Sequence, residues 1–191
     1  MPPLEPYRQN LNYTYALGLY PALEALSRAP DRVRRVLISS KLHKDEASEK
    51  LNALCNRHGI RMEAAERLLR RLSGKDNRFA AAVMSKTGDS IDAASPRHLV
   101  LHHPMDAGNA GTMLRTALGF GFRDVAIITP AVDVFDPHVI RASMGAFFSL
   151  RIGHFDSMES YHAGHPDRAL YLFMLDGSIT LSQATTHKTK V

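Results

Sequence analysis

The sequence predicts an α/β protein: a small N-terminal α/β unit, then a unit with a mostly parallel sheet covered by helices. Three observations predict it. Apolar runs of strand length alternate with amphipathic runs of helix length through both halves of the 191-residue chain. The stretch 87–96, with Thr87-Gly88-Asp89-Ser90 and Ala93-Ala94-Ser95-Pro96, is small, polar and turn-forming, as an interdomain linker is. Beyond it the alternation restarts as strand–helix–strand units, and crossovers of that length impose parallel pairing. The expected division is therefore 1–86, a linker at 87–96, and 97–191.

In the first half, Leu19, Leu23 and Leu26 recur at helical spacing ahead of Pro30, and residues 33–39 read as a strand around Val36-Leu37-Ile38. Residues 46–58 form a helix that stops at Gly59. A short strand is expected at 60–62, a helix at 63–72 with Leu68, Leu69 and Leu72 inward, and a last strand at 79–84. In the second half, strands are expected at 98–102, 125–129, 150–152 and 169–174, and helices at 110–120 and 156–163. A further helix opens with Asp136 as its cap and Pro137 in its first turn. Ligands of such sheets sit at the carboxyl ends of the strands.

Composition narrows the function. Hydrophobic residues at 45% and charged residues at 23% suit a folded chain. No apolar run approaches the roughly 20 residues of a membrane-spanning helix. The opening Met1-Pro2-Pro3-Leu4-Glu5 has no basic stretch followed by an apolar core, so no secretory signal is read there. The single cysteine, Cys55, allows no intrachain disulfide and suits a reducing, cytoplasmic setting. The net charge of +5 and pI of about 9.5 favour a polyanionic partner. Basic residues crowd Arg32-Val33-Arg34-Arg35, 67–71 and 75–78, each a solvated face or a phosphate contact.

The chemistry lies in Asp106-Ala107-Gly108-Asn109-Ala110-Gly111-Thr112-Met113-Leu114-Arg115-Thr116-Ala117, which follows a strand and opens a helix. Asn109 is the expected cap, and Arg115 lies between Gly111 and Gly119 at i−4 and i+4. Glycines in a helix interior cost about 1 kcal/mol each relative to alanine. Either they bare the arginine's face to a ligand or phosphate, or they allow tight helix packing and leave Arg115 an ordinary surface residue. A dinucleotide enzyme is disfavoured, because Gly108-x-x-Gly111 is not the G-x-G-x-x-G fingerprint. His102-His103 and His162-x-x-His165 have no convincing metal spacing, so no metal is expected. Asp133, Asp136 and Asp176 read as turn and cap residues, and Cys55 as a small apolar packing residue.

Asn109-x-Gly111-x-x-x-Arg115-Thr116-Ala117 resembles the first motif of the SpoU/TrmH-type RNA 2′-O-ribose methyltransferases of the knotted SPOUT class. Arg141-Ala142-Ser143-Met144-Gly145-Ala146 resembles that family's R-A-S-x-G-A segment, and Gly119-Phe120-Gly121-Phe122 its continuation. The first half is similar to the family's ribosomal-protein-like RNA-binding domain, through Gly18 and the helix after it, the strand 36–39, and Asn77-Arg78-Phe79-Ala80-Ala81-Ala82-Val83. The His-Gln-Gly frequent in the family near that last segment is missing.

The resemblance implies methyl transfer from S-adenosylmethionine to a ribose 2′-hydroxyl of tRNA or rRNA, by a homodimer. It implies Arg115 at the reacting hydroxyl with Asn109 beside it, and Arg141 and Ser143 are candidate RNA or donor-loop contacts. Arg34, Arg35 and Arg78 are the candidate RNA contacts of the first half. The family's G-N-E and S-L-N-V motifs, which form the knot and most of the donor pocket, are expected beyond Val191. The parallel-sheet domain is thus expected to lack its C-terminal knot segment, as an incomplete or naturally shortened chain. Its donor-binding residues are unassigned, and weak donor binding is expected. A catalytically inactive RNA-binding module is the alternative.

Overall fold

A computed structural model describes residues 4–73, 79–87 and 90–173. Four strands, β1 (Tyr13–Leu17), β2 (Val33–Ile38), β3 (Met62–Ala64) and β4 (Ala80–Ser85), make the first sheet in the order β1-β4-β2-β3. β4 runs antiparallel to β1 and β2, while β2 and β3 are parallel. Three helices join this sheet: α1 (Leu19–Arg28), α2 (Glu46–His58) and α3 (Glu66–Ser73). The second sheet, β5 (His98–His102), β6 (Asp124–Ile128) and β7 (Arg151–Phe155), is wholly parallel. Its helices are α4 (Ala107–Gly119), α5 (Pro137–Ala142) and α6 (Met158–Gly164). The mixed α/β class and the parallel second sheet follow the expectation.

Local chemistry sets the element ends. α2 starts at a capping box in which the Asp45 carboxylate accepts from Ser48 N–H at 2.9 Å, and stops at Gly59. Asp136 caps α5 by accepting from His138 N–H at 2.7 Å, with Pro137 at the first position. α6 begins at a second capping box, between Ser157 and Ser160. β1 is not among the expected strands: all five of its residues are buried, so no polar alternation marks them. The strand expected at 60–62 forms instead at Met62–Ala64, where it pairs with Val36, Leu37 and Ile38.

The strand expected at 169–174 is a correction. Residues 169–173 form no strand, and Met174 lies outside the described residues. Tyr171, Leu172 and Phe173 are exposed, and their backbone has no ladder partner among the described residues. An apolar run becomes a strand only where a neighbouring edge receives its N–H and C=O groups.

The main hydrophobic cluster joins the two halves. Leu23, Leu26, Val36 and Leu51 share it with Leu114, Ile127, Val139, Ile140 and Phe147. Polar ties bridge the same junction. Lys86 Nζ donates to Asp133 at 3.0 Å and lies 4.6 Å from the Tyr7 ring, while the Tyr7 hydroxyl donates to the same carboxylate. Thr14 Oγ1 donates to the Phe135 carbonyl, and the Arg32 guanidinium lies over the Phe135 and Phe147 rings.

The segment 90–96 is fastened to the second sheet. Asp92 N–H donates to Asp124 at 2.8 Å, and a ring nitrogen of His98 bonds the Asp92 carbonyl at 2.9 Å. Arg168 donates to the Ala93 carbonyl at 2.7 Å and to the Ser95 carbonyl at 2.5 Å. No helix among the described residues is long and apolar enough to cross a membrane.

Candidate nucleic-acid interface

The carboxyl ends of β5, β6 and β7 lie on one side of the second sheet. From the end of β5 the chain turns through His103, Pro104 and Met105 into α4. Asp106 is the cap of that helix, its carboxylate accepting from Asn109 N–H at 2.7 Å. Asn109 is therefore the third helical residue and not the cap. Ala107-Gly108 reads as turn chemistry in sequence, yet an Asp followed by small residues satisfies the first turn equally well. Asn109 remains exposed.

Arg115 is also exposed, with no hydrogen bond or ion pair among the described residues. Asn109 and Arg115 are six residues apart, so about 9 Å of rise and about 120° of rotation separate them. They lie on different stripes of the helix, a spacing suited to an extended ligand.

Gly111 serves packing. A Cβ there would lie 2.5 Å from the Ala142 Cβ and 2.6 Å from the Val139 carbonyl oxygen, so only glycine lets α4 touch α5. The open face around Arg115 comes from Gly119 instead, where a Cβ would meet nothing within 4 Å.

Arg141 is exposed in the last turn of α5, beside the Ala142 that rests on Gly111, and it too has no partner among the described residues. Ser143 corrects its expected role. It is fully buried, its hydroxyl donating to the Ile140 carbonyl at 2.7 Å and accepting from Phe147 N–H at 3.3 Å. It holds the turn that follows α5 and has no access to RNA. Met144 and Gly145 complete that turn at φ 50° and 89°. The left-handed φ favours glycine at Gly145, and a Cβ there would also have to displace the Glu24 side chain, 2.7 Å away.

In the first half, Arg35 corrects likewise. Its guanidinium pairs with Glu63 at 3.1 Å, and both side chains are mostly buried. Arg34 is exposed but engaged, donating to Ser85 Oγ and to the Asn12 carbonyl, each at 2.9 Å, and lying over the Tyr13 ring. Arg78 lies outside the described residues. Arg67, Arg70 and Arg71 of α3 are exposed.

The amino ends of the same strands carry a structural ion pair. Asp124, fully buried, receives two bonds of 2.6 Å from the Arg151 guanidinium. Burial pushes its carboxyl up, but Arg151 and the Asp92 N–H outweigh this and hold it well below the usual carboxylate range. Cys55 is buried in α2, and burial pushes its thiol up to about 11. A thiol held so firmly protonated is a packing group and not a nucleophile. No group of three His, Cys, Asp or Glu suited to a metal occurs among the described residues.

The family model described as the SpoU rRNA Methylase family matches residues 96–190, a span that includes β5, the Arg115 helix and residues 141–146. This half of the chain belongs to the SpoU rRNA Methylase family. Curated relatives match shorter stretches of the chain. rRNA methyltransferase 3, mitochondrial, of Xenopus laevis is 44% identical over 57 residues, 30% of this chain and 14% of that protein. The 23S rRNA (uridine(2479)-2′-O)-methyltransferase of Streptomyces viridochromogenes is 32% identical over 73 residues, 36% of this chain and 25% of that protein. The SpoU methyltransferase AviRb of Streptomyces viridochromogenes, crystallised with AdoMet, shares the fold at a TM-score of 0.65 and 22% identity. That likeness covers 80% of this chain, so it extends beyond the SpoU half into the first sheet. The chain spans about 57% of the AviRb structure and far less of the curated relatives.

Proposed function

We propose that the protein is an RNA methyltransferase that moves a methyl group from S-adenosylmethionine to a ribose 2′-hydroxyl of rRNA or tRNA, rRNA being favoured by the relatives' names. One observation carries the reading: within a SpoU-family match, Arg115 stands exposed, with no partner among the described residues, on the helix that follows the carboxyl end of β5. The first 86 residues serve as an RNA-binding domain joined through 87–96, with Arg67, Arg70 and Arg71 on the exposed side of α3 as phosphate contacts. We read the assembly as a cytoplasmic homodimer, the compartment from the lone reduced Cys55 and the pairing from the family resemblance.

The 2′-hydroxyl is a poor nucleophile when neutral, so it must be held in line with the methyl carbon and lose its proton. Arginine stays protonated up to about pH 12 and is a poor proton acceptor. The role assigned to Arg115 is to grip an RNA phosphate through its planar fork and so orient the neighbouring ribose. Arg141 adds a second cation for the backbone, and Asn109 offers an amide that can both donate and accept.

Bound S-adenosylmethionine supplies an electrophilic methyl group on a sulfonium cation. With no partner among the described residues, the guanidiniums of Arg115 and Arg141 suit a polyanion such as the RNA backbone. No described residue is assigned to the donor.

The test is label transfer from methyl-tritiated S-adenosylmethionine to ribosomal RNA by the gene product carrying residues 1–191. Ribose methylation removes the nucleophile of alkaline cleavage, so the labelled nucleotide should resist alkali. Arg115→Lys should lower turnover at least tenfold, because an ammonium cannot replace the planar fork. Label on a base, or none at all, sinks the reading, and near-normal turnover of Arg115→Lys sinks the fork.

A further inference from the structure

Adjacent residues of an extended strand point to opposite faces of a sheet. His102 ends β5 and His103 follows it, so their rings should diverge. Instead the two imidazoles are stacked, with centroids 3.9 Å apart and planes 22° from parallel. The backbone produces this overlap. His103 takes φ 50°, in the left-handed region, and its N–H donates to the Ile128 carbonyl at 3.2 Å. The next carbonyl, of Pro104, accepts from Val132 N–H at 2.9 Å.

A non-glycine residue in that region costs about 1 kcal/mol or more. Core packing does not offset this cost, since both rings are exposed. Neither ring makes a hydrogen bond among the described residues, and no metal-ligand group includes them. Glu159 of α6 is the carboxylate within electrostatic reach of His102.

The place of the stack gives the strain a reason. It stands at the carboxyl edge of the parallel sheet, three residues before the Asp106 cap of the Arg115 helix. Among the described residues the only other non-glycine with positive φ is Met144, also exposed. Met144 follows the Ala142 and Ser143 that abut α4 at Gly111. Backbone strain is thus confined to the two turns bordering α4, and each presents a polarisable surface to solvent.

We propose that the His102–His103 stack is a platform for one unpaired base of the RNA substrate, at the strand end from which the Arg115 helix departs. This rests on the RNA-methyltransferase reading above. Unstacked RNA bases are recognised by stacking on flat side chains, histidine included, and such stacking tolerates any base. The platform also answers a mechanical need. A phosphate grip alone leaves the nucleotide free to rotate about its backbone. A base held at the strand end and a phosphate held by Arg115 further along the helix fix the RNA strand at two points, and that orients the ribose for in-line transfer.

The test is fluorescence anisotropy of the intact chain with two 5′-labelled probes: decaadenylate RNA, and the same ribose-phosphate backbone with hydrogen in place of every base. His103→Gly removes one ring and relieves the backbone at φ 50°. His102→Ala removes the other ring and serves as a second variant. Each should weaken decaadenylate binding about fivefold or more, the scale of one lost stacking contact. Neither should change binding of the base-less probe, nor the slope of log affinity against log salt, because no phosphate contact is lost. Arg115→Ala should weaken both probes and reduce that slope by about 0.7, the value of one single-strand phosphate contact. If both histidine variants bind decaadenylate like the parent, or lose both probes equally, the platform is wrong while the RNA reading stands. If the parent binds neither probe, the RNA reading falls and the platform with it.

Discussion

Asp124 and Arg115 show how a charge's surroundings set its purpose. Asp124 is sealed from solvent and bonded by Arg151 through both carboxylate oxygens, so its charge is spent on the fold. Arg115 has the opposite surroundings, exposed and without a partner among the described residues, so its charge is available to a ligand. Asp124→Asn breaks the pair and should cost about 2 kcal/mol, less than for a fully buried pair because Arg151 is half exposed. The pH dependence has a definite sign. The folded state holds this carboxyl below its ordinary range, so the stabilisation is complete above about pH 5 and is withdrawn as the pH falls. Denaturant titrations of the parent should therefore lose stability more steeply below about pH 5 than those of Asp124→Asn. Parallel acid limbs would mean that the pair contributes nothing.

Between helices, contact depends on what a single side chain displaces. α4 reaches α5 only because Gly111 leaves room for Ala142 and the Val139 carbonyl. Gly111→Ala improves helix propensity by about 1 kcal/mol but forces contacts that no real Cβ makes. The obstacle includes backbone, which cannot rotate away, so overpacking should prevail with a net loss of about 1–3 kcal/mol. Equilibrium denaturation checks this, and a stabilised Gly111→Ala protein would show that the two helices are not held at this separation. The same substitution at Gly119 meets open space and should be neutral or mildly stabilising.

Across the entire protein, the two sheets share one hydrophobic cluster and a polar junction in which Asp133 accepts from both Lys86 and Tyr7. Such a junction should make unfolding a single cooperative event. Asp133→Asn leaves a mostly buried ammonium without its counter-charge and should cost about 2 kcal/mol. For a chain of this size that corresponds to a melting temperature lower by about 4–8 °C, still in one calorimetric peak. Two resolved peaks in the parent would show that the halves unfold independently.

Elements whose ends carry their own chemistry were legible from the chain alone. The cap at Asp136 with Pro137 and the stop at Gly59 are local devices, and α5 and α2 begin or end at them. The parallel second sheet was legible because strand–helix–strand spacing leaves no other pairing. The Arg115 helix was legible through its motif, although its cap was misplaced by three residues because Asp106 and Asn109 are both good caps. β1 escaped detection because burial on both faces erases the alternation that marks a strand.

Long-range contacts settled the rest. Arg35 and Arg34 are adjacent and chemically alike, yet one pairs with Glu63 across the β2–β3 pair and the other is exposed and bonded to Ser85 and Asn12. Ser143 stands in a motif that suggests a ligand, but the turn folds its hydroxyl inward. His102 and His103 gave no metal spacing, and only a left-handed backbone torsion brought their rings together. Sequence spacing encodes which residues share a helix face or a strand edge. Which of them keep a free charge depends on partners far along the chain, and those appear only when the sheets and helices are packed.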